Sequence, residues 1–265
     1  MRKSTKIMCI IATCLLLAGI IAISVGTALG ARWRDIPTFG VVHFNNNVFS
    51  GSTAVLGTSD AADAALPAAD ITQLYVDAGA MSVRVVQGKA YGIAIGENVQ
   101  FTSEVENNTW TIKARPERSS NATGEIVITL PEKQTLEKAT FAIDAGKINV
   151  ESLYTGQLYV DCGAGRVTLQ DVTATEKSVF EVDAGDIGVK GILTGDVQVS
   201  CGMGRVGLTT PQPADYGEVI NLGMGSVSIG GKRYSGMSYE NKTNTNAVTV
   251  YTVECSMGEV SIKFA

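Results

Sequence analysis

A single histidine, His43, and an aromatic share of only 6% in 265 residues close several routes to function before any motif is considered. With one imidazole and no CxxC pair, neither a His/Cys zinc site nor a Ser–His–Asp triad can be put together from recognisable parts. There is no basic stripe with interleaved aromatics. A net charge of −5 gives no long-range attraction to phosphate, so nucleic acid is excluded as a partner. Gly-rich corners of the AGxG and GMG type occur, but no helical segment follows them, which removes the context of a dinucleotide site or a P-loop. The spaced GGxGxD pattern of calcium-binding solenoids is also missing.

Charge is absent from Ile7 to Leu29, a run rich in Ile, Leu and Ala. At ~1.5 Å per helical residue it would extend roughly 34 Å, enough to cross a bilayer. Arg2, Lys3 and Lys6 precede it and Arg32 and Arg34 follow, so with the free amino terminus the positive excess favours an amino end in the cytoplasm. A cleaved signal peptide is the competing reading, because Ala28 and Gly30 have the small-residue spacing of a cleavage site; the apolar run, however, exceeds the usual ~7 to 15 residues. Cys14 lies in the middle of this run and does not suit lipidation. The expectation is therefore a single-pass cell-membrane protein. Residues 1–6 are cytoplasmic, 7–29 form a transmembrane anchor and 30–70 a juxtamembrane stalk. Residues 71–265 form an extracytoplasmic domain, with irregular opening coils or an antiparallel cap over 71–130 and regular repeats over 131–265.

The repeats dominate what is present. FAIDAGKINVESLYTGQLYVDCGAGRVTL, from Phe141, returns as FEVDAGDIGVKGILTGDVQVSCGMGRVGL, from Phe180, a step of 39 residues. Each copy is itself double, since Asp144, Asp161 and Asp183 follow one another at 17 and 22 residues, so the elementary unit is about 20. DAGKINV, DCGAGRV, DAGDIGV and SCGMGRV are joined by NLGMGSV at Asn221 and ECSMGEV at Glu254. The strands alternate apolar and polar residues, with pairs such as Val167 and Leu169, or Val227 and Ile229, turned inward. This predicts an all-β, right-handed parallel β-helix-like solenoid, its interior built of ladders of Val, Ile and Leu with Ala or Cys at a Gly-marked corner. The polar run GKRYSGMSYENKTNTN reads as a loop thrown out between coils.

The residues that could carry chemistry each have a plainer reading. Cys162, Cys201 and Cys255 read as one repeat position that Ala78, Ala145, Ala184 and Leu222 fill elsewhere, which is how a small buried hydrophobe behaves. Two coils at the ~4.8 Å strand spacing put Cys162 and Cys201 roughly 9.6 Å apart, beyond disulfide reach. Asp77, Asp144, Asp161 and Asp183 read as corner residues capping turn amides. A calcium ladder and a carbohydrate-cleaving carboxylate pair are the competing readings. Arg166 and Arg205 share a position with Ser226 and Glu259 and read as solvated, partly paired charges, an anion-binding stripe being the alternative. Trp110 reads as core or edge packing. Tyr154, Tyr159, Tyr216, Tyr234, Tyr239 and Tyr251 are candidate sugar-stacking platforms. No catalytic residue, metal ligand or cofactor is assigned.

LYVDAGAMSVRV at the start of the domain, ITLPE at Ile128 to Glu132 and the corners of DAGKINV and DAGDIGV resemble a bacterial family of adhesin-like β-repeat proteins of unknown function. The resemblance covers Ile71 to Ala265. It implies a right-handed parallel β-helix-like domain displayed at a cell envelope, typically of Gram-positive bacteria, with some relatives linked to envelope stress. The family has no established catalytic residues. The resulting expectation is a membrane-anchored interaction or adhesin-like module whose partner is an envelope protein or glycan, not an enzyme. A carbohydrate-active β-helix enzyme using surface carboxylates is the alternative.

Overall fold

The computed structural model describes residues 71–96, 99–116 and 124–265. The expected anchor, the stalk and His43 lie outside them. The domain is all-β and consists of parallel rungs joined through Gly-marked corners. A typical rung leaves one wall through β9 (Leu153–Cys162). It turns at Gly163 to Gly165 and runs on as β10 (Arg166–Val182), which bends across a second wall and a short third one before returning to the first. Successive equivalents on the first wall are Phe141, Val160, Phe180 and Val199, at steps of 19, 20 and 19 residues.

The first wall holds β1 (Gln73–Asp77), β5 (Thr109–Pro116), β7 (Thr135–Ile143), β9, the end of β10, β12 (Asp196–Cys201), β14 (Tyr216–Leu222) and β18 (Thr249–Cys255), all in parallel. The second holds β2 (Ser82–Gly88), β6 (Glu125–Pro131), β8 (Lys147–Val150), the start of β10, β11 (Asp186–Leu193), β13 (Arg205–Thr210), β15 (Ser226–Ile229) and β19 (Glu259–Phe264). Alternation stacks like on like inside. One interior ladder runs Ile112, Val76, Phe141, Val160, Phe180, Val199, Val253, Ile220. On the facing wall another runs Ile126, Val83, Ile148, Val167, Ile187, Val206, Val260, Val227. Every member of both is buried. A rung alone would leave this surface open on both edges, so burial, and with it stability, is a property of neighbouring pairs.

Spatial order departs from sequence order at both ends. The opening rung, β1 with β2, lies between β5/β6 and β7/β8. At the other end the last rung, β18 with β19, lies between β12/β13 and β14/β15, so the chain builds the outer rung first and then returns to fill the gap. Antiparallel strands cover both outer rungs. β3 (Gly92–Ile95) pairs with β6 and β4 (Val99–Glu106) with β5. β16 (Lys232–Ser235) pairs with β15 and β17 (Tyr239–Thr243) with β14. The segment GKRYSGMSYENKTNTN is therefore not a loop thrown out between coils. It contributes two cap strands, whose Lys232, Arg233, Glu240 and Lys242 place charge on the final edge and disfavour pairing with another chain.

The registers also correct the repeat alignment. Cys162 faces Ile143 and Val182 on adjacent rungs, not Ala145 and Ala184. The motif DCGAG is displaced by two residues against DAG, which turns true steps of 19 and 20 into apparent ones of 17 and 22. The cysteines remain buried among aliphatic neighbours, whereas Ala145 and Ala184 stand exposed on the outside of the corner.

Candidate functional site

The corner between the two walls is where the sequence is most repetitive and the outer surface most distinctive. Backbone hydrogen bonds continue round it from rung to rung: Ala164 N–H donates to the Asp144 carbonyl, Met203 N–H to Asp183, Met257 N–H to Gly202 and Met224 N–H to Ser256. The corner amides are thus satisfied by carbonyls of the next rung, and capping by Asp side chains, expected from the sequence, is not what holds them. A second line of glycines permits this closeness. A Cβ on Gly185 would lie 2.4 Å from the Gly165 carbonyl oxygen, and one on Gly204 2.3 Å from that of Gly185. These glycines answer a steric demand for close approach, not a positive φ.

Between them the residue on the outside of the corner is Ala145, Ala164 and Ala184 in the middle rungs, then Met203, Met257 and Met224 in the last three. In sequence the three methionines mark the last three coils; seating the last rung between the other two sets their spatial order as Met203, Met257, Met224. Met237, in the turn between the cap strands, extends the line, because Ser238 N–H donates to the Gly223 carbonyl at 3.0 Å. Their exposures are 65% for Met203, 53% for Met257, 63% for Met224 and 81% for Met237, so four large apolar side chains form one ridge open to solvent. A shallow depression of about 280 Å³ lies beside it, lined by Ala184, Met203, Met257, Asp186, Arg205 and Glu259. The signal in the sequence is the recurrence of GMG, GMG and SMG on the last three coils; the fold adds Met237 to the line.

Charged ladders flank the ridge. Along the second wall Arg166 donates to Asp186 at 3.1 Å, and Arg205 reaches Asp186 at 3.9 Å and Glu259 at 3.3 Å. These pairs are largely exposed and each contributes at most about 1 kcal/mol. Further out, Gly188 and Gly207 are adjacent with open space above them, leaving a flat strip on this wall.

The four sequence-marked acids fall into two positions. Asp77 and Asp161 end first-wall strands, whereas Asp144 and Asp183 lie in the corner itself. Asp77 accepts from both terminal guanidinium nitrogens of Arg115, at 2.7 and 2.9 Å. Burial raises the Asp161 pKa, and Glu181, Asp183, Asp144 and Asp77 raise it further. The arrangement is a row of like charges along the stack. Among the described residues no group of three or more His, Cys, Asp or Glu side chains could hold a metal ion.

The tyrosines do not form a common platform. Tyr154 is outward, Tyr159 lies under the Lys138 ammonium at 4.5 Å, and Tyr251 is fully buried against Tyr216 and Phe264. Trp110 is buried, its indole N–H donating to the Ser103 hydroxyl at 2.9 Å. Sequence reasoning missed Glu218, a buried carboxylate on the outermost rung beside Tyr251 and bonded by the Tyr234 hydroxyl at 2.5 Å. Burial raises the Tyr234 pKa and the bond to Glu218 adds to it; burial pushes Tyr251 up to about 12. Because Tyr234 is on cap strand β16, the bond ties the cap to the outer rung across the interior.

A family model described as Toastrack DUF4097 matches residues 59–263, spanning the described domain. The chain belongs to the Toastrack family. Two solved structures align with this Toastrack chain. One is a candidate cell adhesion protein from Clostridium sporogenes, at 16% identity over 78% of this chain and 98% of that one, with a TM-score of 0.39. The other is a candidate adhesin from Bacteroides fragilis, at 13% identity over 77% and 98%, with a TM-score of 0.42. No curated protein matches the sequence. The Toastrack assignment agrees with the adhesin-like family that the sequence motifs resemble.

Proposed function

We propose that the chain is a membrane-anchored, extracytoplasmic adhesin-like module that binds another envelope protein along its methionine ridge. The observation that carries this reading is the ridge itself. Met203, Met257, Met224 and Met237 are more than half exposed and contiguous, where a repeat protein of this kind could have kept alanine, as its middle rungs do. Methionine is flexible and polarisable and adapts to irregular apolar partners. Burying one such side chain fully contributes about 1.5–3 kcal/mol, so three or four suffice for a specific contact. A protein partner suits thioethers better than a glycan does, since sugars favour aromatic faces and the tyrosines here are dispersed or buried.

The uncharged run at 7–29 supports the anchor, and its charge flanks support an extracytoplasmic domain. Right-handed winding is part of the same reading, supported by the strong preference of parallel crossovers for that hand. A role without catalysis is favoured by acids that repeat along a ladder instead of converging on a cleft.

Photo-crosslinking in native cells tests the proposal. A photoreactive residue at Met224 should capture a discrete membrane or envelope protein. The same residue at Val179, on the outside of the first wall, should not. Replacing Met203 and Met257 with Glu should abolish capture. Equal capture at both positions, or capture that survives the Glu replacements, would contradict it.

A further inference from the structure

We propose that Cys201 and Cys255 are a disulfide-forming pair whose oxidation fastens the inserted last rung into the stack. The two residues end β12 and β18 and face each other in register on adjacent parallel strands. Both point inward and both are only 2% exposed, the Cys201 thiol donating to the Gly204 carbonyl at 3.3 Å. Adjacent strands are ~4.8 Å apart, inside the ~4.4–6.8 Å Cα window of disulfides. Bond formation then needs the Cβ atoms to close from ~4.8 Å to the ~3.5–4.5 Å of a disulfide.

The corner glycines leave room for the sulfurs. A Cβ on Gly258 would lie 2.4 Å from the Cys201 sulfur, and one on Gly225 2.8 Å from that of Cys255. Cys162 provides the internal contrast: it is equally buried, but Val182 separates it from Cys201 and Ile143 covers its other side, so it has no thiol neighbour. The facing Cys201 thiol lowers the Cys255 pKa and the facing Cys255 raises that of Cys201, which makes Cys255 the attacking thiolate.

The oxidant is a small-molecule or protein disulfide. When the last rung opens enough to expose it, the Cys255 thiolate attacks one sulfur of the oxidant, forming a mixed disulfide and expelling one thiolate. Cys201 gives up its proton and attacks the Cys255 sulfur, expelling the second. Two protein thiols lose two electrons and one disulfide is reduced to two thiols. The new bond closes a 54-residue loop containing the outer rung and both cap strands, so the last rung can no longer leave the gap it fills. The inference depends on the geometry of the pair and not on the membrane reading.

The test uses the full chain, purified reduced in detergent and incubated with glutathione disulfide, then alkylated under denaturing conditions and digested for mass spectrometry. The expected product is a Cys201–Cys255 linked peptide with Cys162 alkylated. A second measurement compares thermal midpoints: the oxidised chain should melt about 5–10 °C above the reduced one, and neither Cys201→Ala nor Cys255→Ala should respond to oxidant. Recovery of both thiols alkylated, linkage of either to Cys162, or an equal shift in the Ala variants would overturn the proposal.

Discussion

Val199 and Ile220 are 21 residues apart in sequence, one coil's worth, yet they lie two rungs apart because Val253 is seated between them. The arrangement decides how the carboxy-terminal third behaves. In a stack laid down in sequence order the last coil is expendable. Here it supplies one neighbour to each of two other rungs.

Ending the chain after Asn244 therefore removes more than a terminus. It strips β12/β13 and β14/β15 of a shared parallel partner and leaves two aliphatic faces open. The truncated chain should lose its cooperative thermal transition by circular dichroism and be cut by thermolysin between residues 196 and 244 under conditions where the full domain is resistant.

Two classes of glycine should differ in their response to alanine. Gly185 has the Gly165 carbonyl oxygen 2.4 Å and the Cys162 sulfur 2.7 Å from the position of a Cβ, so Gly185→Ala should destabilise by about 1–3 kcal/mol. Gly207 has nothing within 4 Å, so Gly207→Ala should stay within about 0.5 kcal/mol of the parent. Denaturant melts compare the two directly.

Val167 is fully buried between Ile148 and Ile187. Val167→Asp places an unpaired carboxylate in the middle of an aliphatic ladder and should cost several kcal/mol, disrupting adjacent rungs together. A melting curve matching the parent would place Val167 outside the core.

The buried Tyr251 hydroxyl has no hydrogen-bond partner, so Tyr251→Phe should be neutral or stabilising by up to about 1 kcal/mol at pH 7. The pH dependence follows from its pKa, pushed up to about 12 by burial against an unfolded value of about 10. Its contribution is fully present below pH ~10 and is lost as pH rises from ~10 through ~12, because the unfolded chain releases the proton first. Alkaline titration of thermal stability should show this fall in the parent and a shallower one in Tyr251→Phe.

Much of the fold was legible because strand alternation and the corner glycines report the same coil. Val167, Leu169, Val227 and Ile229 read as inward and are buried. The Cys position read as core for the right physical reason, and Leu222 and Ala78 share it, but Ala145 and Ala184 do not: their DAG looks like DCG yet lies two residues further round the corner. A slip of two keeps the parity of a strand, so the inward reading of Cys162 survived while Ala145 and Ala184 were misplaced. What could not be read was rung order. Parallel pairing leaves no local signature that distinguishes stacking on the preceding coil from stacking two coils away. The spatial order of the methionines, the pairing of Cys201 with Cys255 and the cap strands all depend on that order. Glu218 escaped notice because a lone Glu in a strand normally faces water.

The most direct test of this order is a methyl–methyl nuclear Overhauser measurement on selectively labelled valine and isoleucine. The inserted rung predicts cross-peaks from Val253 to both Val199 and Ile220, with none between Val199 and Ile220. A direct Val199–Ile220 cross-peak, with Val253 contacting only one of them, would contradict it and separate Met203 from Met257 on the ridge.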